Sequence, residues 1–342
     1  MGKSLALLVC VSLSLCYGFH ESVLGRRSAS KKNRRRLLER VYASVAVESL
    51  MKEGNVASII DEVAELTAQV RSGAAGVLPG EAGEARSACA RTWLLRFASS
   101  SDGDGADAET LAKAVEASIA WRLGEGLKIS EAACEAYALA TAQANAWDNE
   151  PVLSRAPHSK KIGPYFTPAK LLTLRNARND GLIYAIRAGQ IDDKKLMAEV
   201  SADDLTDFFL YAKAVNERAA HDIARKTGVL ATVVTCNDLS GVDLFGDTRF
   251  RNALSRASKK ADAIYPGLAA ETILFNLPAF LRALVNIFKP LFPPSVQQKL
   301  KFATFAFRDN NDSQDKSFLD RASPIRAEFL NHVDRLTGGG GK

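Results

Sequence analysis

The segment from Asn276 to Lys299 constrains this chain more than any other. Between Pro278 and Pro290 it reads as a strongly apolar helix carrying Phe280, Leu281, Leu284, Val285, Ile287 and Phe288. Those positions cover more than one helical stripe, so a single core face cannot absorb them all. A helix apolar on most sides is buried deeply, faces a membrane, or closes over something apolar. Proline removes an amide donor and interrupts helical continuity. Pro278 at one end, and Pro290, Pro293 and Pro294 at the other, therefore mark hinge points. Short apolar strands are expected on either side, at 272–275 and 302–307.

The 342 residues suit one large domain with flanking segments, or two domains. A hydrophobic content of 47% with 25% charged residues is ordinary for a chain that buries a substantial core. The net charge of +6 is not a property of the whole chain. Residues 1–40 hold 9 Lys/Arg and 2 Asp/Glu, leaving 36 basic and 37 acidic residues for the rest. A basic face on the folded body, which nucleic-acid binding requires, is therefore not expected.

The basic block reads as targeting. Lys3 precedes the apolar run Leu5–Val11, and small residues at Cys16 and Gly18 suit cleavage before Phe19. The run is too short for a comfortable transmembrane span. Arg26 to Arg36 follows, basic and serine-bearing, with no acid between Glu21 and Glu39. This pairing resembles the bipartite presequences of algae with secondary plastids. A plastid location is the expectation, with the secretory pathway or endomembranes as the alternative. Cys89, Cys134 and Cys236 remain after cleavage, an odd number without metal-like spacing, so no disulfide framework is implied.

Beyond the leader, 41–85 reads as a helical extension ending in a Gly-rich linker, and 86–150 as a helical subdomain. In the latter, Trp93 and Trp121 are expected in the core. From about Gly163 the pattern changes to strands alternating with long helices. Asn179-Asp180-Gly181 is a turn signal before the strand 182–187. Ala202 to Lys226 is amphipathic, 228–236 is a β-branched strand buried on both faces, and 250–265 is helical. Such alternation indicates α/β layering with a mostly parallel sheet.

Four stretches, in order, resemble the CRAL-TRIO lipid-binding family, which includes tocopherol, retinaldehyde and phosphatidylinositol transfer proteins. They are Trp93-Leu94-Leu95-Arg96-Phe97 with Ala120-Trp121-Arg122; Asp180 to Tyr184 with Ala188 to Asp192; Val233 to Val242 with its Asp238-Leu239-Ser240-Gly241 end; and Tyr265-Pro266 through Pro278 with Phe288-Lys289-Pro290. The resemblance covers roughly residues 88–308. It implies a CRAL-TRIO-like α/β fold: a sheet floor with flanking helices and a mobile gate helix, preceded by an all-helical N-terminal subdomain. The lipid-binding domain spans 151–325 and a C-terminal tail 326–342. The expected lipid-binding residues are Tyr184, Ile186, Val233, Thr235, Phe275, Phe280, Leu284, Phe288 and Lys299. Burying an acyl chain against such a floor releases about 0.8 kcal/mol per CH₂, so exchange requires the gate to open.

The phosphoinositide pattern of the family is incomplete. Lys299 is in place, but Val296 stands for a Thr, Gly267 for a Glu, and Ser99-Ser100-Ser101 for basic residues. Tyr184 and Thr235 match positions that handle a phospholipid head in some members, whereas Val233 replaces a hydroxyl. The implied partners are a phospholipid, prenyl lipid or sterol-like molecule and, transiently, a membrane surface, with the protein acting as a monomer. No cofactor, metal or catalytic residue is expected, since no nucleophile elbow, zinc-protease helix, phosphate loop or dinucleotide fingerprint occurs. His221-Asp222 with Glu217 reads as a solvated helical face. Asp309 to Asp315 reads as a polar loop, because Gln314 stands where a calcium loop needs Gly. The alternative function is a non-catalytic adaptor that retains the fold and docks protein partners.

Overall fold

The computed structural model describes residues 93, 96, 97, 108–142, 147–176, 181–227, 230–242, 246–278, 282, 299–307 and 322–338. The leader, the extension 41–85 and, apart from Arg282, the apolar Pro-bounded helix lie outside these residues.

Four helices precede the sheet: α1 (Ala108–Leu123), α2 (Leu127–Ala140), α3 (Glu150–Ser154) and α4 (Ser159–Ile162). Strands β1 (Leu171–Arg175) and β2 (Leu182–Arg187) follow. Next come α5 (Asp193–Glu199), α6 (Ala202–Thr227), β3 (Val233–Asp238), α7 (Thr248–Ile264), β4 (Ala269–Phe275), β5 (Leu300–Ala303) and α8 (Pro324–Leu336). Local chemistry sets several starts. Ser201 Oγ accepts the amide of Asp204 at the head of α6 (3.0 Å), and Asp247 accepts that of Arg249 at the head of α7 (2.7 Å). Pro324 opens α8, where its missing N–H costs nothing. Tyr265-Pro266 stops α7.

The five strands lie in the order β1-β2-β3-β4-β5, with β1 antiparallel and the rest parallel. The parallel neighbours are reached through α5 and α6, then α7, which is why the sheet has two unlike faces. On the crossover face, Leu171, Leu182, Tyr184, Ile186 and Val233 pack with Leu205, Phe208, Ala212 and Val215 of α6. On the opposite face, Leu172, Leu174, Ile183, Ala185, Cys236, Ile273 and Phe275 pack with Phe305, Phe307 and, from α8, Phe329 and Val333. Phe275 meets the rings of Phe307 and Phe329 with centroids 5.6 Å apart, and Phe305 at 6.2 Å.

The structure departs from the sequence reading in several places, among them the strand expected at 228–236, which covers Val233–Asp238. Strand β5 covers 300–303, so only Phe302 and Ala303 of the expected strand 302–307 pair; Phe305 and Phe307 leave it to join the aromatic cluster. Strand β1 was not expected, because its pairing depends on a partner across a turn. The stretch read as a tail from 326 onward begins inside α8 and seals the opposite face. Finally, Glu217 and His221 are not on a solvated face: Glu217 is buried and His221 Nε2 is closed off from water.

Candidate functional site

The sheet register assembles a row that spacing along the chain does not show. Thr173 pairs with Tyr184, Tyr184 with Thr235, and Thr235 with Thr272, so four hydroxyls from four strands form one rung on the crossover face. Leu300 of β5 ends the rung opposite Thr272. All five residues are buried. At the β1 end the rung is closed, since Thr173 Oγ1 donates to Asn216 Oδ1 of α6 at 2.8 Å. Tyr184 is different: its hydroxyl is buried without a hydrogen-bond partner, and burial pushes its pKa far above the ordinary phenol value. A buried neutral phenol without an acceptor costs stability. It is therefore a donor poised for a polar atom in an otherwise apolar floor.

Of the expected site residues, the structure brings Tyr184, Ile186, Val233 and Thr235 together on this face. Phe275 is on the other face, inside the aromatic cluster, because side chains alternate along a strand. Lys299 is exposed, immediately before β5. Phe280, Leu284 and Phe288 lie outside the described residues. Thr272 and Leu274, which share the crossover face, were missed; their alternation in β4 was the available signal.

At the C-terminal ends of the parallel strands, polar side chains tie β2, β3 and β4 together. Arg187 Nε lies 3.5 Å from Asp238 Oδ2, and its guanidinium stands over Phe307 (5.5 Å). Asp238 Oδ1 accepts the amide of Ser240 (3.1 Å), the Ser240 hydroxyl and Asn276 Nδ2 (2.9 Å). Asn276, at φ 55°, also exchanges two bonds with the backbone of Phe305, 2.8 Å to its oxygen and 3.0 Å from its amide. The chain leaving β4 is thus pinned to the chain leaving β5. Nearby, Gly189 sits so close to Ser240 that a Cβ would lie 1.8 Å from its carbonyl oxygen, so no other residue fits.

A second polar cluster joins the helical segment to α6 and α7. Arg122 forms a bidentate pair with Glu217 (3.0 and 2.9 Å) and donates to Ile264 O (3.1 Å). The same guanidinium lies 5.7 Å from the Trp93 ring and 4.7 Å from Tyr265. Arg96 donates to the carbonyls of Gly267 and Ala231. Burial brings its pKa down to about 10, against the pull of Glu217. Gly267 adopts φ +62°, and a Cβ there would come within 2.7 Å of Arg96 O. The backbone of the helical segment thus occupies the space a side chain at 267 would need.

Among the described residues no group of acidic, His or Cys side chains could hold a metal ion, and no helix is long and apolar enough to cross a membrane. Residues 175–311 match the CRAL/TRIO domain. Over these residues the chain is similar to a CRAL/TRIO domain, a likeness that supports lipid binding or transfer in general. No curated protein matches the chain by sequence. Among solved structures it is similar to the crystal structure of Sfh5, at 9% identity and a TM-score of 0.41, over 90% of this chain and 99% of that one.

Proposed function

We propose that this protein holds a hydrophobic lipid against the crossover face of its sheet and exchanges it at a membrane. Tyr184, Ile186, Val233, Thr235, Thr272 and Leu274 form the floor. Strands β4 and β5 are parallel neighbours, and on this reading the sequence between them, with Phe280, Leu284 and Phe288, is the cover. The observation that carries the proposal is the buried Tyr184 hydroxyl without a partner, next to Thr235 on an apolar floor. A purely structural floor gains nothing by keeping an unsatisfied donor. A lipid whose polar atom meets Tyr184 and whose chain runs along Thr272 and Leu274, beside the part of the face that α6 already covers, satisfies both kinds of surface. With Gly267, Val296 and Ser99 to Ser101 in place of phosphoinositide-binding residues, the cargo proposed is a phospholipid, prenyl lipid or sterol-like molecule rather than a phosphoinositide. The compartment proposed is the plastid, reached through residues 1–40.

Extraction of the natively purified protein for mass spectrometry, paired with a vesicle-to-vesicle transfer assay, tests this. One lipid class at near-stoichiometric amount, and transfer reduced about tenfold by Phe288→Asp, is expected if the cover loses about 1.4 kcal/mol of apolar contact. Empty protein in every preparation, together with no lipid movement between vesicles, would leave the adaptor reading in its place.

A further inference from the structure

The junction between the Trp93–Phe97 segment, α1, α6 and the end of α7 contains a titratable group that the lipid reading does not use. His221 stands one turn beyond Glu217 on α6, its Nε2 shut away from solvent and without a partner. The charges that oppose its protonation are those of Arg96 from the helical segment, Arg122 from α1 and Arg218 from α6 itself. Glu217, the carboxylate of this cluster, already accepts two bonds from Arg122. Tyr265, from the end of α7, contributes a phenol kept neutral by burial. From α2, Cys134 is a neutral thiol, raised by burial, that senses Arg218, Glu131 and Arg122.

The junction also leaves donors unmet. Trp93 Nε1, Arg96 Nε and the Tyr265 hydroxyl are buried without partners. A neutral imidazole can offer a lone pair in such surroundings, whereas an imidazolium offers only another donor and another positive charge. We propose that His221 is an acid-sensitive latch, whose protonation releases the Trp93–Phe97 segment and α1 from α6 and α7.

Burial, followed by Arg96, Arg122 and Arg218, holds the imidazole well below its ordinary pKa in the folded chain. The released state binds a proton near the ordinary value of about 6.5. The seated state is therefore favoured above that value, and loses ground as pH falls beneath it, by up to about tenfold per pH unit.

The test uses the full chain in a Trp147→Phe background, so that emission comes from Trp93 and Trp121, which both line this junction. Acidification from about pH 7.5 to about pH 5 should shift that emission to the red and speed amide exchange in α1. His221→Gln should abolish both changes. An unaltered acid response in His221→Gln overturns the proposal. Should that variant not fold, the C2 proton of His221 in the unmutated chain decides: titration at or above the ordinary value overturns the latch, and titration well below it, coincident with α1 release, supports it.

Discussion

The two faces of one sheet differ in their chemistry. The face under α8 is an aromatic seal in which Phe275, Phe305, Phe307 and Phe329 fill space against one another and against Ile183, Ala185 and Ile273. The crossover face is just as buried but chemically mixed, with a rung of hydroxyls and one donor left unmet. Both faces come from the same strands, and single steps along β4 alternate between them: Thr272 and Leu274 toward one, Ile273 and Phe275 toward the other. Burial alone therefore does not identify a binding surface. The distinction lies in whether the polar atoms of the buried face are satisfied by the protein itself.

The contrast breaks or holds under three substitutions. Phe275→Ala has the largest expected effect. Emptying the aromatic seal should lower stability by about 3–5 kcal/mol, read from chemical denaturation, while the lipid content of the fraction that still folds stays unchanged. A selective loss of lipid at unchanged stability would join the two faces into one functional unit. Next is Asn276→Ala, which deletes the bonds to Asp238 and Phe305 and places alanine at φ 55°. A loss of about 2–3 kcal/mol is expected, with Asn276→Gly milder because glycine tolerates that backbone. Equal losses for the two would show that the side-chain bonds, and not the backbone, set the value. The smallest effect on stability belongs to Tyr184→Phe. Removing an unsatisfied hydroxyl should leave stability unchanged or raise it by about 1 kcal/mol, while lipid affinity falls severalfold in a titration with fluorescent lipid. If stability falls instead, the hydroxyl has a partner in the native protein.

Much of the architecture is legible in the sequence. The aliphatic run 182–187 behind Asn179-Asp180-Gly181 became β2 with its boundaries intact, and the stripe through Leu205, Phe208, Ala212 and Val215 became the buried side of α6. Trp93 is in the core, as expected, and crosses Phe97 edge-on at 4.9 Å. What escaped was set by partners distant in sequence. Glu217 looked solvated because its partner Arg122 lies 95 positions away. Phe305 and Phe307 looked like strand because their alternation is strand-like, yet the pull of Phe275 and Phe329 takes them out of the sheet. At the site, Tyr184 and Thr235 could be named from the sequence, but their alignment with Thr173 and Thr272 could not. Register is fixed by the paired strands together, and a one-residue slip would turn each hydroxyl to the other face.

The stitch at Asn276 has a consequence for how such a protein diversifies. Leu300 is held opposite Thr272 by the parallel ladder, and Asn276 ties the exit of β4 to the chain beyond β5. Both anchors of the stretch between the strands are thus held by the sheet, at opposite ends of the ladder. Doubling the length of a flexible connection costs only about 0.6 kcal/mol in closure entropy, and here the closing contacts lie in the sheet, outside that stretch. Sequences of other length, greasier or more charged, can therefore stand between Leu277 and Leu300 while the sheet keeps its register. Under the proposed function, that leaves cargo preference free to change while the fold stays.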